Sequence, residues 1–326
     1  FMIINSEKPY LKEISSLNVD EIIEALEKDG AIYFPNFFSS ETVENIESDF
    51  EIAESELLNN NNCGLVFYNN QQFVSQTLVH SKTVFDFLTH QLTQKLFSSF
   101  LGEYVLKASR YYKTGGGNIS MWHHDEKNAS YTSLGIIIIV YLSDVNKPEN
   151  GPFEYIRGSH KFSTDLDDEY FFASNIEEKH SNEIETDFGS AGTMLIADTR
   201  VIHRAKPHVG SHYRKSLFSQ ISKLEDPTYK ERILVNPEYL DDKILNRQNI
   251  RNFLGFGLTT AKHIFPPTSI ETMPFNRLVL SNLYFWLKKK IISKSFELLP
   301  IKVKKIIRKR IGRSLDYDAI ANNTKG

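Results

Sequence analysis

Two positions apart in the segment Asn118-Ile-Ser-Met-Trp-His-His-Asp125 stand an imidazole and a carboxylate, His123 and Asp125. Side chains at i and i+2 of a strand project to one face, so on a strand these two converge on a single point. They supply two members of a 2-His-1-carboxylate set, which grips Fe(II) from one side and leaves coordination positions open. A third candidate lies 80 residues on, where His203 follows the apolar run Thr193–Ala197 and a short turn. Eleven residues further, Arg214 opens the run Lys215–Ile221. A guanidinium fixed on a neighbouring strand can clamp a carboxylate through two parallel hydrogen bonds, which a lysine does less well. A metal triad beside a buried arginine suits a dicarboxylate such as 2-oxoglutarate, chelated at one end and held by Arg214 at the other.

Such a site needs a rigid frame, and the chain is long enough to build one. It has 326 residues, 40% of them hydrophobic and 24% charged, which excludes global disorder and collagen-like fibres. Cys63 is the single cysteine, so no intramolecular disulfide and no cysteine-rich zinc or iron–sulfur site can form; a reducing cytoplasm is expected. The longest apolar run, Leu134–Leu142, is too short to span a bilayer, and no charged-then-apolar leader opens the chain. The first hundred residues read as mainly helical. Asn18 caps a helix through Lys28 that Gly30 stops, Ala31–Phe34 is a strand, Ser40 caps a helix towards Leu58, and Ser81 caps one ending at Gly102. From residue 103 the pattern turns to strands: Glu103–Lys113, a turn at Gly115–Gly117, Leu134–Leu142 covered on both faces, then Phe153–Ile156, Thr193–Ala197 and Lys215–Ile221. The expected fold is mainly β with flanking helices, a double-stranded β-helix or jelly-roll core with the N-terminal helices packed on it. Residues 223–285 read only as helix plus loop.

Three blocks carry a resemblance. Trp122-His-His-Asp125, the stretch Glu149-Asn-Gly-Pro-Phe-Glu-Tyr-Ile-Arg-Gly-Ser-His-Lys161, and His203-Arg-Ala-Lys-Pro-His-Val-Gly-Ser-His-Tyr-Arg214 together resemble the phytanoyl-CoA dioxygenase family of Fe(II)/2-oxoglutarate oxygenases. The opening, a helix and then Gly30-Ala-Ile-Tyr-Phe-Pro-Asn-Phe-Phe38, is similar too, and the likeness covers roughly residues 15–225. It implies His123, Asp125 and His203 as iron ligands and Arg214 as partner of the distal 2-oxoglutarate carboxylate. O2 would be consumed, succinate and CO2 released, and an unactivated C–H bond hydroxylated. Related halogenases carry a small residue where Asp125 stands, so Asp125 implies hydroxylation over halogenation; desaturation or ring formation is left open. Asn150-Gly-Pro and Gly158-Ser-His160 are expected to be structural. The sequence departs from the family at Pro207-His208, where Pro-Asn is common, which makes His208 a rival for the distal ligand. His124 rivals His123 but would face away from Asp125.

Further positions follow from strand faces. Lys107, Ser109 and Tyr111 share one face of the strand before the glycine turn, which is expected to look into the barrel, so Lys107 or Tyr111 could contact 2-oxoglutarate. Ser216, two residues after Arg214, could share the distal carboxylate. Asn118, Trp122 and His124 are candidate substrate contacts through proximity to the ligands. Charge divides the chain in two. Residues 1–285 hold 26 Lys+Arg against 38 Asp+Glu, whereas 286–326 hold 12 against 3. The acidic body argues against nucleic acid. The tail, from Trp286 to Arg313, interleaves basic and apolar residues at helical spacing, which fits a helix at an anionic membrane surface or against a lipid-linked substrate, and equally a helix packed on the core with its basic face in solvent. The expected organisation is an oxygenase domain over 2–285 and a basic amphipathic extension over 286–326. The protein is expected in the cytoplasm, with the tail able to seat it on the inner face of a membrane. The alternative function is a non-catalytic metal- or ligand-binding member of the same fold, recruited by that tail.

Overall fold

A computed structural model describes residues 8–59, 65–68, 71–116, 122–125, 127–128, 131–132, 134–162, 176–224 and 233–256. Asn118 and the tail 286–326 lie outside the described residues. Short helix α1 (Pro9–Ser15) leads into α2 (Val19–Lys28), which starts where the Asn18 side chain accepts the Glu21 N–H. It ends ahead of Gly30, whose φ of +87° turns the chain into β1 (Ala31–Phe34). Helix α3 (Ser40–Asn59) begins one residue earlier than expected: Ser39, not Ser40, receives the Thr42 N–H on its hydroxyl.

The single helix expected from Ser81 to Gly102 is broken. After α4 (Thr77–His80), Ser81 caps α5 (Lys82–Thr89), and α6 (Gln91–Leu101) restarts past His90. The break is held by side chains: His90 Nδ1 accepts the Leu92 N–H, and Gln94 Nε2 donates to the Leu88 carbonyl left without a helical partner. Between α3 and α4, β2 (Leu65–Tyr68) and β3 (Gln71–Ser75) form a hairpin the sequence did not announce.

The remaining strands are β4 (Tyr104–Thr114), the small pair β5 (Lys127–Asn128) and β6 (Tyr131–Thr132), then β7 (Gly135–Tyr141), β8 (Phe153–Ile156), β9 (Ile184–Asp187), β10 (Met194–Asp198), β11 (His203–Ala205) and β12 (Arg214–Lys223). They make a seven-stranded sheet in the order β1-β10-β7-β12-β4-β3-β2 and a three-stranded sheet β11-β8-β9, all neighbours antiparallel. This is the jelly roll that the strand pattern predicts. β7 is buried on both faces, as its unbroken isoleucine run requires. Ile136, Ile138 and Val140 face the helices with Phe50, Phe85 and Phe97, whereas Ile137 joins Leu195, Phe153 and Tyr155 between the sheets. Beyond the barrel, the described part of the 223–285 region is short helices and loop, and its Phe253 stacks on Phe97.

A bulge reorients β4. Ile221 pairs with Leu106 and Gln220 with Ala108, so Lys107 is the extra residue of the bulge. Past the bulge, Ser109 and Tyr111 face the helices and not the barrel, which corrects the expected shared face. The Tyr111 ring stacks on Phe50 of α3 at 4.6 Å and 8°, and the Ser109 hydroxyl meets those of Thr77 and Ser219. Burial and the acidic side chains of α3 raise the Tyr111 phenol above its ordinary range. Phe50→Ala should therefore cost about 3–5 kcal/mol in urea unfolding. Tyr111→Phe should cost nothing, because the hydroxyl is buried with no hydrogen-bond partner.

Candidate metal centre

The turn between β10 and β11 brings the two halves of the site together. His123 and His203 form an isolated antiparallel bridge, each N–H donating to the other's carbonyl at 2.9 Å. His123-x-Asp125 is thus not a strand pair as expected. After one bridged residue the chain turns, and the Asp125 N–H donates to Thr199 O at 3.1 Å. The side chains converge nonetheless. Asp125 Oδ1 lies 3.7 Å from His123 Nε2 and 3.8 Å from His203 Nε2, and the three ligand atoms all lie within 4.8 Å of one another.

Chemistry at the three groups suits a cation. His203 Nδ1 sits 2.9 Å from Val201 O, and a carbonyl only accepts, so the proton is on Nδ1 and the Nε2 lone pair faces Asp125. Phe153 stacks on the His203 ring at 5.1 Å and fixes its plane. Asp125 Oδ2 is buried with no hydrogen-bond partner, an acceptor that a divalent ion would satisfy. Two imidazoles and a carboxylate on one side are the donor set of non-haem Fe(II).

Neither rival histidine enters. His124 points its Nδ1 at the Arg200 carbonyl, away from Asp125. His208 is buried elsewhere, with its ring nitrogens on the carbonyls of Glu149 and His212. His160 bonds the Glu27 carbonyl under Gly30, and Ser159 Oγ accepts the Ile202 N–H, so that block is structural.

Arg214 opens β12 with its guanidinium buried and donating to the Gly151 carbonyl. Burial pushes its pKa below the ordinary arginine value. Among the described residues no carboxylate pairs with it. Ser216 lies two residues along on the same face, buried, beside Tyr112 and Tyr141 in register. Two residues that sequence reasoning missed complete this end. The Tyr141 hydroxyl accepts the Phe153 N–H at 3.0 Å and donates to Asp187 O at 3.1 Å, tying the two sheets together. Gly151 holds φ +70°, and a Cβ there would stand 2.8 Å from an Arg214 nitrogen. Only the Asn150-Gly-Pro turn hinted at it.

Two other expected contacts, Trp122 and Tyr111, fall elsewhere. Trp122 packs with Ile156 and Ile202 under the Arg204 guanidinium, 4.5 Å from its ring. Glu154 and Ile156 alternate with the inward Phe153 and Tyr155, so Trp122 is on the outer face of the small sheet, opposite His123. Tyr111 is likewise remote from Arg214, for the reason the bulge gives. Lys107 is fully buried at that bulge.

The sequence matches the phytanoyl-CoA dioxygenase (PhyH) family over residues 26–216. The chain belongs to this family. Among solved structures it is similar to HygX from Streptomyces hygroscopicus with nickel, 2-oxoglutarate and hygromycin B bound, at TM-score 0.51 and 15% identity over 65% of this chain and 90% of HygX. The HygX structure with nickel and 2-oxoglutarate gives 0.52 and 16%, over 65% and 89%. SnoK, a non-haem α-ketoglutarate-dependent carbocyclase from nogalamycin biosynthesis, gives 0.48 and 14%, over 65% and 86%. No curated protein matches the sequence. At these identities the likeness to HygX is one of fold, and it agrees with the jelly roll described above.

Behind the site, Asp187 adds a pH dependence. Register partner of Phe153, its carboxyl has one buried oxygen without a partner, and burial, then nearby Glu185, pushes its pKa up to about 7. Unfolded, it ionises near 3.8. Between those values the unfolded chain has released a proton that the folded one keeps, so stability falls as pH rises from about 4 to about 7 and then levels. Asp187→Asn should remove that slope, its urea midpoint gaining on wild type between pH 5 and pH 8.

Proposed function

We propose that this protein is an Fe(II)- and 2-oxoglutarate-dependent dioxygenase that hydroxylates an unactivated C–H bond of a small molecule. The observation that carries the reading is Asp125 Oδ1 set almost equally from His123 Nε2 and His203 Nε2, in a barrel whose strand β12 begins with a buried arginine. His123, Asp125 and His203 would hold the iron. Bound Fe(II) would supply the activation of O2, coupled to oxidative decarboxylation of 2-oxoglutarate to succinate and CO2. Arg214 would take the distal carboxylate in a charge-assisted pair strengthened by burial, with Ser216 adding a hydroxyl on the same face. The Phe153 ring against His203 would exclude water from one side of the centre.

The carboxylate at Asp125 favours hydroxylation over halogen transfer, since it occupies the position a halide would need. HygX with hygromycin B bound supports a small-molecule substrate. The excess of 12 basic over 3 acidic residues in 286–326 supports a second reading of the substrate, a lipid-linked one met at an anionic membrane surface. No helix among the described residues is long and apolar enough to cross a membrane. Deleting 286–326 should then abolish binding to anionic vesicles and leave 2-oxoglutarate binding unchanged.

The decisive experiment is anaerobic. Fe(II) followed by 2-oxoglutarate should give a visible metal-to-ligand charge-transfer band, absent in His123→Ala. In Arg214→Ala the band should need at least about tenfold more 2-oxoglutarate. Gly151→Ala should also raise that requirement, because its Cβ crowds the guanidinium, while Fe(II) binding stays as in wild type. A folded, iron-loaded wild type without the band sinks the oxygenase reading in favour of a non-catalytic binding protein.

A further inference from the structure

We infer that Asp198 and Arg200 are a positioning pair that sets the spacing of the three candidate ligands through the backbone of the turn 199–202. The inference rests on reading the site as a metal centre. Carbonyls of this turn reach every segment that carries a ligand. Thr199 O accepts the Asp125 N–H at 3.1 Å, and Val201 O fixes the Nδ1 of His203 at 2.9 Å. Arg200 O faces His124, the residue between the other two ligands. A shift of this turn would therefore move Asp125 and His203 against each other.

What holds the turn is a carboxylate with 0% exposure, that of Asp198. Its Oδ1 accepts the Arg200 backbone N–H at 2.8 Å and Nε at 3.0 Å; its Oδ2 accepts Nη2 at 2.6 Å. A planar guanidinium on a planar carboxylate fixes direction as well as distance, and here it also locks the amide that starts the turn. Asp198 is itself anchored, donating its N–H to Gly30 O at 2.9 Å and accepting the Val201 N–H at 3.0 Å. With Asp198 buried and Arg200 part-exposed, the pair contributes little net stability once desolvation is counted, so its value here is conformational. Groups that orient metal ligands without touching the metal commonly govern affinity.

The test uses full-length, metal-free protein and Co(II) as the probe, followed by its visible d–d spectrum. Asp198→Asn keeps an acceptor for the Arg200 N–H but loses the charge and the second acceptor; Arg200→Lys keeps the charge and loses the fork. Glu154→Gln is the control, because Glu154 is equally buried and paired with Arg204 on the outer face of the same region. Asp198→Asn should weaken Co(II) about 10–100-fold and shift the d–d bands, Arg200→Lys should do so less, and Glu154→Gln should leave both unchanged. Should Asp198→Asn fail to fold, Arg200→Lys decides alone. Wild-type affinity and spectrum in the position-198 and position-200 variants, or equal losses in Glu154→Gln, overturn the inference. Absence of Co(II) binding by wild type overturns the metal reading itself, and is seen before any variant is made.

Discussion

The structure depends on one backbone contact, the two-bond bridge between His123 and His203. Sequence places these residues 80 positions apart, and side chains alone would hold them together poorly, since ordering each one costs conformational entropy. Reciprocal N–H···O bonds make the separation of the two Cα atoms a property of β-pairing instead. The rest of the jelly roll maintains that bridge. β10 and β11 carry His203 to it, the small sheet β11-β8-β9 backs it, and Phe153 stacks on the ring that results.

Rigidity of this kind has to come from packing, and the large sheet supplies it on both faces. Ile136, Ile138 and Val140 lock β7 to the helices, whereas Ile137 locks it to the barrel interior. β10, hydrogen-bonded to β7 along its whole length, cannot slip by one residue without turning five buried side chains to the wrong face. The register that places Asp198 at the start of the turn is therefore set by aliphatic burial along β7 and β10, up to Ile136 directly opposite it.

The residues of the candidate site stand out in the sequence because each is signalled within a few residues: a histidine and a carboxylate at spacing two, a histidine after an apolar run, an arginine opening a strand. The reason given for His123 and Asp125 was nevertheless incomplete, since a bridge and a turn bring them together, not a strand. Features that depend on long-range register were not legible. The extra residue at Lys107 turns Tyr111 towards Phe50, and nothing in Glu103–Lys113 marks it. Trp122 neighbours His123 in sequence but alternates to the outer face, where Arg204 covers it. Tyr141 looks like the end of an apolar strand, and only the closure of two sheets reveals its hydroxyl as a tie between them.

Burial acts on the two ends of the site in opposite senses. A carboxyl can answer desolvation by keeping its proton, as Asp187 does with its pKa pushed up to about 7. An arginine has no such escape, because its ordinary pKa is so high that even a lowered value leaves it charged. Arg214 is therefore a fixed buried cation, met among the described residues by a carbonyl dipole and the nearby Tyr141 hydroxyl and by no carboxylate. Asp125 presents the converse, an acceptor oxygen buried beside two imidazole rings. On the proposed function, a buried cation and a buried acceptor in one barrel are complementary to a metal ion chelated by a dicarboxylate. Either component alone answers half of that polarity, and each would stabilise the protein by mass action as it binds. On that reading the two groups together would select the pair.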